Sequence, residues 1–401
     1  MTASETPSHT EADAVAVPLG EDYPDIRQAI RRICEGFPQE YWRDLDARQG
    51  YPTEFVATLT KAGFLAALIP AEYGGAELPL RAASVILEEI HASGCSATAC
   101  HAQMYIMGTL LRHGSPEQKR KWLPGIASGE LRLQAFGVTE PTTGSDTTKL
   151  RTLAVRKGDV YVINGQKVWT SRALHSDLML LLARTTPLDK VKRKTEGLSV
   201  FLVDMREARG NGLEIRPIRA MINHNTTEVF FDDLAVPAEN LIGVEGRGFR
   251  YILDGLNAER VLAASESIGD GRWFIAKATA YAGEREVFGR PIGQNQGIQF
   301  PIARAYCEIE AADMMVRRAA AMFDAGLDCG GDANISRLLA SEAAWHAAEA
   351  TIQTFGGFGF ACEYDIERKW REARVPLVAP ISTNLILSYV AQHVLGMPRA
   401  Y

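Results

Sequence analysis

The sequence has few cysteines and no long hydrophobic run, and each of these absences excludes a class of protein. Its 401 residues include six cysteines, which are scattered, with no CxxC pair and no His/Cys cluster at zinc-ligand spacing. We therefore expect reduced thiols, a cytoplasmic protein and no metal site. The densest apolar stretches, such as residues 178–183, are far shorter than the roughly 18 residues that cross a bilayer, so no membrane-spanning segment is predicted.

The charge balance and the absence of several motifs exclude further classes of protein. Lys and Arg number 43 against 49 Asp and Glu, for a net charge of −6 without any block of one sign, which argues against a nucleic-acid-binding surface. The sequence contains no GxGxxG after a first strand, no Walker A loop, no HExxH and no Gly-x-Ser-x-Gly elbow. Nicotinamide-dependent, nucleotide-hydrolysing, zincin and serine-hydrolase functions therefore lack their characteristic motifs.

The hydrophobic spacing divides the chain into a leader and three parts. Residues 1–24 are polar and acidic, with no basic or apolar segment of a signal peptide, and we predict a loose leader. Residues 25–134 show apolar residues at three- and four-residue steps, which predicts a helical domain with loops at 70–75 and 114–116. Helical spacing returns in long, Ala-rich segments over residues 246–401.

Between them, residues 135–245 change to a period of two, which predicts a β domain. Strands are expected at 178–183, 198–203 and 228–231, and an Asn164-Gly165 turn signal lies between β-rich flanks. The predicted fold class is therefore mostly α with a central β domain, in which a helix bundle packs on a small sheet.

Three segments combine residues suited to a cofactor, although each also has an ordinary structural interpretation. Residues 136–146, FGVTEPTTGSD, allow backbone N–H groups to approach an acceptor-rich ligand, yet composition alone favours a capped interdomain loop. Trp169-Thr170-Ser171 places an aromatic ring beside two hydroxyls, which suits a flat cofactor or an ordinary core. Residues 353–359, QTFGGFG, are either a helix C-cap or a close approach to a pyrophosphate.

Taken in this order, the segments resemble those of the acyl-CoA dehydrogenase family. GVTEPTTGSD is similar to its first signature, GQKVWTS (165–171) to its flavin-facing strand, and QTFGGFGF, followed by Tyr364, Arg368 and Arg374, to its second signature. The resemblance covers about residues 25–396. It implies an N-terminal helical domain, a middle β domain and a C-terminal four-helix bundle, with FAD between the last two. It also implies a homotetramer in which a neighbouring subunit completes the flavin site.

The same resemblance implies the binding residues. At the flavin ring it places Phe136, Val138, Thr139, Trp169, Thr170 and Ser171. Around the rest of FAD it places Arg285, Phe288, Asn295, Gln296, Ser382 and Asn384, and, from a partner subunit, Gln353, Gly356 and Gly357. Ser145 is placed at the cofactor and the acyl-CoA, and Asn257 and Arg260 at the pantetheine arm of CoA.

The reaction that the resemblance implies is α,β-dehydrogenation of an acyl-CoA thioester, with electrons passed to an electron-transfer flavoprotein. The commonest family position for the base is occupied here by Pro380, which can neither take a proton nor donate a backbone N–H to the thioester oxygen. A one-residue shift in register places Ala379 there, and Ile381 is an alternative donor. In the isovaleryl-CoA and long-chain branch the base precedes an arginine on a C-terminal helix, and Glu259 has that position here, so it is the predicted base. The ordinary alternative is a solvated helix residue paired with a nearby arginine.

Other functions remain open at this level. The same fold includes acyl-CoA oxidases and non-oxidising members, and a catalytically silent partner subunit is a further alternative. The acyl chain length and branching are not indicated. The small-residue stretch 90–101 is interpreted as a wall of the acyl tunnel or as close helix packing, and His91 and His101 as packed or surface residues.

Overall fold

The computed structural model describes residues 19–399, so most of the predicted leader lies outside the described residues. The described end of the leader is packed. Arg81 Nε donates to the backbone carbonyl of Glu21 at 3.1 Å, and Arg27 pairs with Asp22 at 3.0 Å. The first helix begins at Pro24. Residues 19–24 are therefore held against the helices and are not loose.

The N-terminal part is helical, as predicted. Its helices are α1 (Pro24–Glu35), α2 (Gln39–Arg48), α3 (Thr53–Lys61), α4 (Leu80–Ala92), α5 (Thr98–His113) and α6 (Pro116–Ser128). Nearly all of α4 is buried, since other helices cover it on several sides. Ser115 and Gln118 form a capping box at the start of α6, which explains the break that the sequence places at 114–116. The loop at 70–75 contains only a short 3₁₀ turn.

The middle part is one eight-stranded sheet. Its strands are β1 (Leu133–Gly137), β2 (Leu153–Lys157), β3 (Val160–Ser171), β4 (Leu178–Arg184), β5 (Leu198–Asp204), β6 (Leu213–Pro217), β7 (Thr226–Pro237) and β8 (Leu241–Ile242). A single-turn helix, α7 (Met205–Ala208), follows β5. The order is β6-β7-β3-β2-β4-β5-β8, and β1 pairs in parallel with β4. Every residue of β4 is buried, because the sheet is covered on both faces there.

The Asn164-Gly165 signal is not a turn, and this expectation is wrong. Strand β3 runs through it and pairs with β7 on both sides. The register shifts between Ile163 and Gly165, which has a φ of +149°. An added Cβ at Gly165 would lie 2.6 Å from Thr152 Oγ1. The glycine therefore serves a β-bulge, where the backbones approach closely, and long-range pairing overrides the local turn preference.

The C-terminal part is again helical. It comprises α8 (Gly248–Glu284), a hairpin of β9 (Glu286–Val287) and β10 (Arg290–Pro291), α9 (Gln296–Asp324), α10 (Gly330–Phe355), α11 (Ile366–Arg374) and α12 (Thr383–Tyr389). The three long helices pack against one another, and α4 packs against α8 and α9. The short helices α11 and α12 complete the bundle against α10. The predicted mostly α fold with a central β domain is confirmed.

Two further properties bear on the sequence-based expectations. All six cysteines are free thiols, and only Cys307 and Cys362 are exposed. Across residues 19–399, none of the helices combines the length and the hydropathy needed to cross a membrane.

Candidate active site

Glu259 is a buried carboxylate on α8, with only 3% of its surface exposed. Two turns further along the same helix face lies Glu266, which is also buried. Burial raises the pKa of Glu259, and this effect outweighs the opposing influence of His101, Arg260 and the Tyr105 hydroxyl. The carboxylate predicted as the base is therefore in an environment that favours its proton-bound form.

Helix α5 provides the polar side chains that face these two carboxylates. His101 Nδ1 lies 2.9 Å from Glu266 Oε2, and Tyr105, one turn later, interacts with Glu259. Burial raises the pKa of Tyr105 well above its ordinary value, so its hydroxyl stays protonated. The Tyr105 ring also packs edge-to-face on Phe136, with 6.0 Å between centroids. One tyrosine thus joins Glu259 to the strand that the first signature predicts at the flavin.

A buried ion pair fixes the segment after Phe136. Lys167 Nζ donates to the carbonyl of Val138 at 3.0 Å and to Glu140 Oε1 at 2.9 Å. Glu140 also accepts from the backbone N–H groups of Arg151 and Thr152 at 2.6 and 2.8 Å. The N–H of Val168 donates to the carbonyl of Thr139 at 2.9 Å. Strand β3 therefore holds residues 138–140 in one position.

The end of β3 has features that fit a bound aromatic ring system. Trp169 has a φ of +61° at a second register shift, and 59% of its surface is exposed. A bulky residue in this left-handed conformation is strained, and such strain is concentrated at functional sites. Among the described residues, Thr143 Oγ1 and Thr170 Oγ1 are buried without a hydrogen-bond partner. An exposed indole beside orphaned hydroxyls suits a flat cofactor that carries donors and acceptors.

A groove of about 700 Å³ lies at the other end of α8, between the β9–β10 hairpin and the end of α10. Arg285, Gly356 and Gly357 are among the residues that line it, and the Arg285 guanidinium lies 5.8 Å from the Phe358 ring centroid. Gly356 has a φ of +57°, and an added Cβ at Gly357 would meet nothing within 4 Å. A groove that combines one arginine, aromatic rings and two adjacent glycines fits the phosphates and base of a dinucleotide.

The remaining predicted residues at this end are also accessible. Phe288 is fully exposed at the hairpin tip, with a φ of +55°. Gln296 and Gln353 are exposed, and Asn295 Oδ1 accepts from Arg290 at 2.9 Å. Arg285 follows Glu259 by 26 residues along α8, which at 1.5 Å per residue is about 39 Å. The structure therefore does not bring these residues to Glu259 within one chain.

The other predicted residues do not line this groove. Ser145 is exposed in the loop after the first signature. Arg260 Nη1 donates to Asn257 Oδ1 at 2.9 Å, so this pair shares one turn of α8. The Ser382 hydroxyl caps α12 by accepting from the N–H of Leu385 at 3.4 Å, and Asn384 is exposed in the first turn.

The loop at Pro380 is anchored by Arg337, a residue that sequence reasoning missed. Buried Arg337, on α10, donates through Nη2 to the carbonyls of Pro376 and Ala379 at 2.7 and 2.9 Å. The N–H of Ala379 donates to the carbonyl of Val375 at 2.9 Å. Within residues 19–399, the N–H of Ile381 has no acceptor. Of the two alternatives to Pro380, Ile381 thus has the available amide.

Sequence reasoning also missed Tyr105, Arg172, His224 and Glu266. Tyr105 and Glu266 are polar residues at positions that helical spacing assigns to a buried face, and Arg172 directly follows a signature. His224 lies in the loop between β6 and β7 and has no signal in the sequence. The packed interpretation of His91 fits the structure, since His91 is buried and its Nδ1 lies 2.9 Å from Asp270.

Comparison with known proteins gives matches along nearly the whole chain. Residues 20–130, 135–234 and 246–394 match the acyl-CoA dehydrogenase N-terminal, middle and C-terminal domains. The acyl-CoA dehydrogenase FadE12 of Mycobacterium tuberculosis is 33% identical over 95% of this chain and 98% of its own. The cyclohex-1-ene-1-carbonyl-CoA dehydrogenase of Syntrophus aciditrophicus is 35% identical over 88% of this chain and 85% of its own.

A solved structure is similar over the same range. The glutaryl-coenzyme A dehydrogenase in complex with glutaryl-CoA has a TM-score of 0.87 and 30% identity, covering 95% of this chain and 97% of that one.

Proposed function

We propose that this chain, which belongs to the acyl-CoA dehydrogenase family, removes the α-proton of an acyl-CoA thioester with the carboxylate of Glu259. The family consists of FAD-dependent oxidoreductases, and bound FAD supplies the acceptor for the hydride that leaves the β-carbon. The observation that supports this assignment is the burial of Glu259 on α8, beside the tyrosine that contacts the first signature.

The surroundings of Glu259 suit a base for a weakly acidic proton. A carboxylate in water is a poor base for this task, and exclusion of water raises its proton affinity. The Tyr105 hydroxyl, kept protonated by burial, is a nearby hydrogen-bond donor for this carboxylate. After proton transfer Glu259 is neutral, so the buried site no longer contains that charge.

The thioester oxygen needs hydrogen-bond donors as negative charge develops on it. Pro380 has no N–H to offer. We propose that the N–H of Ile381 provides this donor, because Arg337 anchors the loop through two carbonyls and leaves that amide without an acceptor within the described residues.

We further propose that two subunits share each FAD. In one chain, Phe136, Val138, Thr139, Trp169, Thr170 and Ser171 hold the flavin ring, with Ser145, Ser382 and Asn384 nearby. From a neighbouring chain, the ADP part is held by Arg285, Phe288, Asn295, Gln296, Gln353, Gly356 and Gly357. The separation of about 39 Å along α8 between Glu259 and Arg285 supports this division. The proposed assembly is a homotetramer.

The proposed electron acceptor is an electron-transfer flavoprotein. The purified protein, reduced by an acyl-CoA, is expected to be reoxidised rapidly by that partner and slowly by oxygen. Rapid reoxidation by oxygen, with hydrogen peroxide as product, would instead identify an acyl-CoA oxidase.

Glu259→Gln tests the base assignment. The variant should retain FAD but lose anaerobic flavin bleaching by an acyl-CoA by about 100-fold or more, since a positioned base contributes about 10²- to 10⁴-fold. Glu284→Gln is the matched control, because this carboxylate is exposed near the end of the same helix. Bleaching of the Glu259→Gln protein at a rate close to that of the control would remove Glu259 from the catalytic role.

A further inference from the structure

The end of β3 that carries the predicted flavin contacts has a strained backbone. Trp169 and Arg172 both adopt left-handed conformations, with φ of +61° and +62°, on either side of Thr170 and Ser171. Such conformations are costly for large side chains and persist only where surrounding contacts fix them. The pairing of this end is also irregular, since the register against β7 shifts between Lys167 and Thr170. Contacts from elsewhere in the chain must therefore hold it in place.

The segment that enters β7 provides the first of these contacts. The N–H of Arg172 donates to the carbonyl of Asn225 at 2.8 Å. The Thr227 hydroxyl donates to the carbonyl of Thr170 at 2.7 Å. Asn225 itself has a φ of +47°, a conformation that asparagine adopts more readily than most residues. The strained end of β3 is thus hydrogen-bonded to the first residues of β7 and the residue before them.

Two asparagine side chains, Asn223 and Asn225, fasten that segment to the N-terminal helical part, and we call them the asparagine clamp. The Asn223 amide donates to the carbonyls of Leu45 and Gly50 at 2.9 and 2.8 Å. The Asn225 amide donates to the carbonyl of Gln49 at 2.9 Å and to Asn223 Oδ1 at 3.2 Å. The three carbonyls belong to the end of α2 and the turn before α3. The clamp therefore connects this turn to the residue that accepts from Arg172.

The turn between α2 and α3 is itself held by three other elements. Arg371 of α11 pairs with Asp46 at 2.6 Å. The Tyr51 ring stacks on His175, which follows β3 closely, with 4.3 Å between centroids. The Tyr51 hydroxyl donates to Gln134 Oε1 on β1 at 2.7 Å. The asparagine clamp thus joins the end of β3 to a fixed part of the fold.

We propose that Asn223 and Asn225 are positioning residues for the flavin, because they hold Trp169, Thr170 and Ser171 in place at the ring. This inference rests on the proposed function, which places those three residues at the flavin, and adds to it the residues that set their position. An amide group suits this task because its two N–H donors reach two carbonyls at once. Hydride transfer depends on precise geometry, so a small displacement of this end should slow the reaction more than it weakens binding of the thioester.

The first test compares Asn223→Ala with Asn211→Ala in the FAD-loaded protein. Asn211 is the matched control, because it is exposed and its amide donates to a single carbonyl, that of Glu207, at 2.9 Å. Anaerobic bleaching of the flavin is followed over a range of concentrations of butyryl-CoA, isovaleryl-CoA and octanoyl-CoA. With the thioester that bleaches the wild type fastest, Asn223→Ala should have a limiting rate about 10-fold lower or less, since a displacement of about 1 Å can cost about 100-fold. Its half-saturating concentration should stay close to that of the control.

A second variant and a measurement without turnover separate positioning from stability. Asn225→Gly removes the other amide but keeps the left-handed backbone and the carbonyl that accepts from Arg172. In Asn225→Gly and Asn223→Ala, the visible absorbance and circular dichroism of the bound flavin should differ from those of the wild type and the control. A lower free energy of unfolding with unchanged flavin spectra and unchanged bleaching would show that the asparagines only stabilise the fold, and would overturn the inference.

Thr227→Val keeps the inference testable if neither asparagine variant folds. It removes the hydroxyl that donates to the carbonyl of Thr170 and leaves the clamp intact, so it should change the flavin spectra in the same direction. Unchanged flavin spectra in this variant would refute the role of the segment that enters β7. If none of the three thioesters bleaches the wild-type flavin, the proposed function is wrong, and the flavin spectra of the variants still decide the inference.

Discussion

The ion pair between Lys167 and Glu140 should be the main support of the flavin-facing segment, and Lys167→Met tests this. The Lys167 side chain is completely buried, and its ammonium contacts Glu140 and the carbonyl of Val138. Removing one member of a buried pair typically costs 3–5 kcal/mol, because the other charge stays buried. Glu140 retains two backbone N–H donors. We therefore expect a cost near the lower end, about 3 kcal/mol, and weaker FAD retention.

The assay is chemical unfolding of the FAD-loaded protein, followed by circular dichroism and by the fluorescence of released flavin. Lys157→Met, an exposed lysine on β2, is the matched control and should change the unfolding free energy little. The double variant Lys167→Met/Glu140→Gln should be less destabilised than the sum of the two single variants, since it leaves no unpaired charge. A loss below about 1 kcal/mol for Lys167→Met, or strict additivity in the double variant, would refute this reasoning.

Two further predictions concern buried carboxylates. Burial raises the pKa of Glu259 above its ordinary value of 4.5, and only the ionised carboxylate accepts a proton. The kcat/KM for an acyl-CoA should therefore rise with pH through a pKa above 4.5. A pH profile that is already flat at pH 4.5 would contradict this prediction. The pKa of Asp270 is about 2, because His91 and Lys369 together outweigh the opposing effect of burial. The ionised carboxylate therefore stabilises the folded state above about pH 3.8, and this contribution is lost as the pH falls toward 2. Asp270→Asn leaves buried Lys369 with only the more distant Glu372, at 3.5 Å, so it should lower the unfolding free energy by about 3 kcal/mol near neutral pH. The difference from wild type, measured by denaturant titration, should narrow in acid.

Much of the fold follows from the sequence because the hydrophobic period is a local property. The run at 178–183 is continuous because β4 is covered on both faces, and it is confirmed as a strand. The break at 114–116 is confirmed because Ser115 and Gln118 cap α6 within four residues. The turn predicted at Asn164-Gly165 is wrong because its conformation is set by a non-local contact. Its outcome depends on pairing with β7, more than sixty residues later, which no local pattern indicates.

Less of the candidate site than of the fold can be predicted from the sequence. The sequence predicts Glu259 as the base because a carboxylate directly before an arginine on a helix is a local family pattern, and this stays a prediction. Tyr105 was not found, because its importance arises from contacts with Phe136 in one direction and Glu259 in the other. Those contacts form only when α5 packs between the sheet and α8. The spacing of α5 indicates that residue 105 faces inward but does not indicate what it meets.

The pairing of buried charges is the property least evident from the sequence. Lys369 and Arg172 are both buried cations next to the same group of helices, and their letters in the sequence give no reason to treat them differently. Lys369 finds Asp270, which lies 99 positions earlier, whereas Arg172 finds no carboxylate among the described residues. Whether a buried cation is compensated therefore depends on the packing of distant segments, which no local pattern in the sequence indicates.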